Sequence, residues 1–108
     1  MPAYLWQASY TSQGVKGLMK DGGTKRKAAI KQMIEAAGGK LHAFYFSFGK
    51  DDVIGIAEFP DHATATALSL SINGSGVVSF HSTVLITPEE MDAATKKSIA
   101  YQPPGSIG

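Results

Sequence analysis

The chain has 108 residues, a length typical of one domain, and its hydrophobic and charged shares of 44% and 18% are those of a folded protein, not a disordered one. A formal net charge of +1 gives no reason to expect nucleic acid or membrane as a partner, and the absence of cysteine excludes disulfides, thiolate nucleophiles and cysteine-based zinc sites. We see no signal peptide and no apolar run long enough to span a bilayer, so we expect a single cytoplasmic domain over residues 1–108.

The patterning predicts strands separated by helices, ending in a helix and a tail. Alternating or aromatic runs predict strands at 3–10, 40–48, 53–59 and 77–86. Apolar spacing and glycine punctuation predict helical segments at 13–21, 24–37, 62–72 and 88–98, with Ser12, Thr24, Asp61 and Thr87 as N-caps. Pro88 and Glu90 complete a capping-box pattern after Thr87, and residues 99–108 read as an extended C-terminal tail.

This order of elements indicates the fold. Two β-α-β units joined through a central hairpin give a βαββαβ order, with one more helix at the end. The order predicts a ferredoxin-like α+β sandwich, in which a four-stranded antiparallel sheet carries its helices on one face.

The second face of that sheet lacks the charges expected of a surface in water. In the second strand, His42, Phe44, Phe46 and Phe48 are expected to share one face, while small or mixed residues share the other. The 62–88 stretch contains no Lys, Arg, Asp or Glu. A second subunit covering these surfaces explains both observations, so we expect a homo-oligomer, at least a dimer. The alternative is an ordinary surface helix of small polar residues over 62–72.

Three long stretches resemble the GYD-domain family: "YLWQASYTSQGVKGLMKDGGTKRKAAI", "GGKLHAFYFSFGKDDVIGIAEFPD" and "TVLITPEEMDAATKKSIAYQPPG". The Gly-x-Tyr-Asp signature of the family reads Gly49-Lys50-Asp51-Asp52 here, so Asp51 stands where the tyrosine would be. The resemblance implies a dimeric α+β barrel in which two sheets pack face to face. It implies no particular activity, since barrels of this type include small monooxygenases, isomerase-like enzymes and binding proteins.

A basic segment follows the first helical stripe. Six of the ten Lys and Arg residues lie between Lys16 and Lys31, on both sides of the Gly22-Gly23 pair. Free backbone N–H groups at a helix start can hold an anion, which makes Lys25 and Arg26 candidate anion-binding residues. The alternative is a break between two helices with solvated lysines, because the segment follows a helix and lacks the ending of a phosphate-binding loop. We favour the break.

The candidate ligand-binding residues are Tyr4, Trp6 and His42, which we expect to line a pocket between the sheet and the helices. His42 is also the candidate catalytic residue, because an imidazole exchanges protons near neutral pH. The histidines show no metal-binding spacing and the chain carries no nucleotide fingerprint, so the sequence predicts no metal site and no cofactor.

Two functions remain open from the sequence. One is a binding or assembly module for a small ligand, an anionic one if the basic segment takes part. The other is a cofactor-independent enzyme, monooxygenase-like or isomerase-like, acting on a small aromatic or carbonyl compound. We expect the turn at 49–52 to be structural, with Asp52 accepting backbone hydrogen bonds, because a wet hairpin tip is a poor place for acid–base chemistry.

Overall fold

The structure, a computed structural model, describes residues 1–47 and 49–106. Four strands form one antiparallel sheet in the order β2-β3-β1-β4, and this confirms the predicted ferredoxin-like α+β fold. The elements in chain order are β1 (Ala3–Tyr10), α1 (Ser12–Asp21), α2 (Gly23–Ala36), β2 (Lys40–Phe46), β3 (Val53–Glu58), α3 (His62–Gly74), β4 (Val78–Leu85) and α4 (Pro88–Thr95).

The core lies between one face of the sheet and the helices α2 and α3. Alternate residues of β1 point into it, and the two helices bury Ile30 and Ile34 on α2 and Ala65 and Leu68 on α3. Phe59, just after β3, has no exposed surface. Because Ile34 is equally buried, these two side chains lie at the centre of the packing.

The ends of the helices agree with the predicted caps in two cases and differ in two. Asp61 caps α3, and Thr87 and Glu90 form the capping box of α4. The predicted cap Ser12 is wrong, because the hydroxyl that accepts the Gly14 N–H belongs to Thr11. Thr24 is wrong as well: α2 begins one residue earlier, at Gly23, without a side-chain cap.

The junction between α1 and α2 is made by a glycine in the left-handed region. Gly22 has φ of 80°, a conformation that residues with a Cβ rarely adopt. Its N–H donates to the Leu18 carbonyl, which ends α1, and its carbonyl accepts the Arg26 N–H, which starts α2. The chain therefore turns between two helices at one residue, as the interpretation of a helix break predicts.

A β-bulge in β2 changes the expected strand faces. Leu41 pairs with Ala57 and Ala43 pairs with Ile56, so His42 is an extra residue between two regular pairs. Leu41, Phe44 and Phe46 pack against the core, whereas His42 is exposed. The prediction that His42 shares a face with Phe44 and Phe46 is therefore wrong, and Phe48, the fourth residue of that prediction, lies outside the described residues.

The chain leaves the body of the molecule after β4. The predicted last helix ends at Thr95 and not at 98, and residues 96–106 contain no further helix or strand. Every residue from 86 to 106 is exposed; we call this segment the C-terminal arm. The radius of gyration is 17.6 Å, whereas a compact chain of this length has about 13 Å. The longest dimension is 60 Å against 31 and 23 Å, so the arm projects away from the sheet.

Among the described residues, none of the helices has the length and apolar character needed to cross a bilayer.

Candidate functional site

A groove opens between α2 and α3 on the helical side of the sheet. It measures about 370 Å³ and is walled by Ile30 and Met33 of α2 and by Ile72 of α3, with Val78 at the start of β4. This volume is in the range of small-molecule sites. The walls are mainly apolar, so the groove favours a ligand with an apolar body.

Below the groove, a smaller space reaches the aromatic core. Its lining includes Trp6, Phe44 and Phe80, and it shares Ile30, Ile72 and Val78 with the groove above. Its volume is about 30 Å³, room for no more than one or two water molecules. The described lining of the groove itself is aliphatic and polar, and these three rings lie below it.

Arg26 is the cation of this site. It lines the groove, the space below it and a third cavity of about 200 Å³ that lies beside α1. It is half-buried, while the neighbouring Lys25 and Lys27 are exposed. No carboxylate among the described residues lies within salt-bridge distance of Arg26, although Asp21 lines the cavity beside α1. A guanidinium in this position offers a planar pair of donors to a carboxylate or phosphate.

The two predicted anion-binding residues thus differ in position. Arg26 faces the groove, with Tyr10 beside it in the lining of two of the three cavities. Lys25 lines none of these cavities and is exposed on α2. After the helix break, the first turn of α2 lies over the sheet. Arg26 is the residue of that turn that lines the groove.

The residues predicted to form the ligand pocket are not brought together. Tyr4 and Trp6 are both buried in the core, and only Trp6 reaches the space below the groove. His42 lies on the bulge at the edge of the sheet, where its Nε2 pairs with the Glu58 carboxylate. That hydrogen bond lowers the pKa of Glu58 below its ordinary value. His42 therefore lies on the outer edge of the sheet and does not line the groove.

A different histidine contacts Tyr4. The Tyr4 hydroxyl forms a hydrogen bond with Nδ1 of His62, the first residue of α3. Burial raises the pKa of Tyr4, and the nearby Asp61 carboxylate raises it further, so the phenol stays neutral. This pair anchors the start of α3 to β1, and its partner could not be found from the sequence because 58 residues separate the two.

The signature turn is tied to β1 by hydrogen bonds. Asp52 Oδ2 accepts the Tyr10 N–H at 2.8 Å, and the Asp52 N–H donates to the Ala8 carbonyl at 2.8 Å. Asp51 is 9% exposed and its carboxylate accepts weaker bonds from Gln7 and Ser9. Both acids therefore accept hydrogen bonds from β1, and neither lines the groove.

The face of the sheet opposite the helices is open. Along β1 it presents Leu5, Gln7 and Ser9, and Gln7 lies between Ile54 of β3 and His81 of β4. Tyr45 on β2 is 70% exposed on this face, and Ile54 is also exposed. Apart from the Lys40–Glu58 pair at one end, the buried Asp51 and the His81 imidazole, these surfaces carry small, apolar, phenol or amide side chains.

A four-stranded antiparallel sheet with an apolar groove under two helices defines the class of the protein: a small α+β domain of ferredoxin-like topology. The sequence profile of the GYD domain matches residues 4–95, and the chain belongs to this family. The match extends from β1 to the end of α4. Neither the curated proteins nor the solved structures contain a significant match.

The sequence contained one signal for the groove that the predictions used only in part. Arg26 lies four residues before Ile30 and eight before Ile34, which places it on the buried stripe of the helix. A cation on the apolar stripe of a helix is a more specific signal of a binding site than a cluster of cations. The reason is that the packing of the stripe holds such a cation near the core. Tyr10 gave no comparable signal, since its position beside Arg26 depends on the way α1 turns back after β1.

Proposed function

We propose that this protein is a binding module for a small amphiphilic anion, a flat apolar body with one carboxylate. The observation that supports it most is the position of Arg26: it is half-buried, free of a carboxylate partner in the described chain, and part of the lining of a mainly apolar groove. The apolar body lies against Ile30, Met33 and Ile72, and the acid meets the guanidinium. Burial of the ring supplies most of the affinity and the ion pair supplies the selectivity for acids.

Calorimetric titration with 2-naphthoate tests this function, with 2-naphthalenemethanol as the neutral analogue. We expect the acid to bind more tightly than the alcohol. Arg26→Gln should weaken binding of the acid by about 10- to 100-fold, the effect of a hydrogen bond to a charged group, and should leave the alcohol unaffected. Lys27→Gln removes the same charge from the neighbouring exposed position and should change neither.

Trp6 gives a second readout, because it is the chain's single tryptophan and lies under the groove. Octanoate does not absorb at the wavelengths that excite the indole. Its entry into the groove should therefore change the fluorescence emission of Trp6. Equal affinity for 2-naphthoate and its alcohol, or equal effects of the Arg26 and Lys27 variants, would refute the anion-binding function.

We also propose that the protein works as a homo-oligomer, at least a dimer, in which a second copy covers the open face of the sheet. The support is the set of uncharged side chains on that face, with Tyr45 and Ile54 exposed among them. His81→Asp places a charge on this face and should raise the dissociation constant measured by sedimentation equilibrium, because a charge buried without a partner is costly. Gln32→Asp adds the same charge at an exposed position of α2 and should leave the constant unchanged. A monomer at micromolar concentration would refute this proposal.

A further inference from the structure

The C-terminal arm presents apolar side chains to solvent. Ile99 is 82% exposed and Tyr101 is 73% exposed, and Ile86 and Met91 are more than half exposed. Single exposed apolar residues are common, but a run of them along one projecting segment is typical of a surface that binds another molecule.

The helix of the arm is also acidic. Glu89, Glu90 and Asp92 lie in α4, and the helix contains no Lys or Arg. Two of these acids are in its first turn, where they interact favourably with the helix dipole. Met91 lies between Glu90 and Asp92 in the chain, so an acid flanks this apolar side chain on each side of the helix.

Helix α1 has the complementary character. It buries none of its residues, and two apolar side chains, Val15 and Met19, are exposed on it, Met19 by 79%. Lys16 and Lys20 directly follow these two positions, so both pairs are spaced i, i+4 and lie side by side along the helix. A helix that packs so little of itself contributes little to the core of its own domain.

The two helices of one chain start far apart. Ala3 pairs with Leu85 and Tyr10 pairs with Val78, so β1 and β4 lie side by side in opposite directions. α1 follows Tyr10 and α4 follows Leu85, and the two helices leave the sheet at opposite ends of strands about 23 Å long. Only residues 86 and 87 connect β4 to α4, and they span about 7 Å at most.

From this geometry we propose that α4 of one molecule docks on α1 of a second copy, and that the two copies exchange their arms reciprocally. Met91 packs against Val15 and Met19 of the other copy, and the acids of α4 lie beside Lys16 and Lys20. Each copy contributes one α1 surface and one α4 surface, so the dimer contains the same contact twice. The assembly is therefore closed at two chains related by a two-fold axis. The opposite charges align the helices and discriminate against other partners.

Disulfide trapping tests the proposal directly, because the protein contains no cysteine of its own. In Met19→Cys/Met91→Cys, oxidation should yield a covalent dimer on a non-reducing gel that returns to monomer with reductant. The matched control is Leu70→Cys/Met91→Cys, since Leu70 is 69% exposed on α3, away from α1. All three positions are exposed, so the substitutions leave the core intact.

Charge reversal separates specific docking from random collision. Lys16→Glu/Lys20→Glu in the Met19→Cys/Met91→Cys protein should slow cross-linking at least about tenfold, because it puts like charges together. Adding Glu89→Lys/Asp92→Lys should restore the rate; Glu90 is left in place because it caps α4. Lys27→Glu/Lys50→Glu makes the same change in charge outside α1 and should have no effect.

Three results would overturn the arm exchange. One is a cross-linking rate no faster than that of the Leu70 control. Another is an unchanged rate in Lys16→Glu/Lys20→Glu. The third is a ladder of higher species in place of a dimer, because a ladder means that the contact does not close. None of these results concerns Arg26 or the open face of the sheet. The proposed ligand and the proposed sheet-to-sheet contact are tested independently, by the experiments given with each of them.

Discussion

Replacing Asp52, the acid that ends the family signature, should destabilise the fold. Its Oδ2 accepts the N–H of Tyr10 at 2.8 Å, at the point where β1 ends and the chain turns toward α1. In Asp52→Ala this N–H loses its partner, and the turn loses the side-chain tie to β1. A hydrogen bond to a charged group contributes about 1.5–3 kcal/mol, so we expect a loss of about 2 kcal/mol in the free energy of unfolding.

The measurement is urea unfolding followed by Trp6 emission, at one fixed protein concentration because association stabilises the folded state. With a slope of about 1–3 kcal/mol per molar for a domain of this size, the midpoint should fall by about 1 M. Asp52→Asn is the matched variant: it keeps an oxygen acceptor in the same place and loses only the charge, so we expect it to retain most of the stability. Calorimetry with 2-naphthoate should show unchanged binding in both variants, since Asp52 does not line the groove.

The reasoning fails if Asp52→Ala unfolds at the same urea concentration as the natural chain. It fails differently if stability is kept while ligand binding is lost, because the site would then be at the turn and not under α2 and α3.

Three further substitutions, and one surface control, have defined outcomes. Gly22→Ala should cost about 1 kcal/mol by thermal unfolding, because φ of 80° strains an alanine although space around the position is open; no loss would contradict the left-handed assignment. Asp61→Ala should lower the melting temperature at neutral pH, since the carboxylate accepts the Thr64 N–H. That bond lowers the pKa of Asp61, so its contribution is present above the ordinary value near 4 and is lost as the pH falls through the lower folded pKa; equal differences between the two proteins at pH 7 and pH 2 would contradict this. Ile34→Ala should cost about 2–5 kcal/mol by urea unfolding, because the side chain is fully buried, while Leu70→Ala on the surface should change stability by less than about 0.5 kcal/mol.

The sequence was sufficient for the fold because local signals and the global arrangement agree. Asp61 and Thr87 start helices where a capping side chain is followed by a helical pattern, and the turns between strands fall at glycine, proline and aspartate. The error at Ser12 comes from a choice between neighbouring hydroxyls, which only the path of the backbone decides. The error at Thr24 has another cause, because α2 begins after Gly22 without any side-chain cap.

The site was harder to predict because it depends on contacts between distant segments. Alternation along β2 placed His42 on the same face as Phe44, and one extra residue in the strand was enough to turn it away from the core. Nothing in the local sequence marks that bulge. Arg26 was found as a charge in a cluster, but its place at the groove depends on α3, which lies some forty residues further along the chain.

The bulge at His42 also makes the two free edges of the sheet unlike each other. On β2, the extra residue interrupts the ladder of backbone groups, and Lys40 stands at the start of the strand, so pairing with another strand is disfavoured there. β4, at the other edge, has no charged residue, no proline and no bulge in its pairing with β1. The sheet is thus protected against unwanted strand addition on one side only, and Val78–Leu85 is the segment through which misassembled chains would grow.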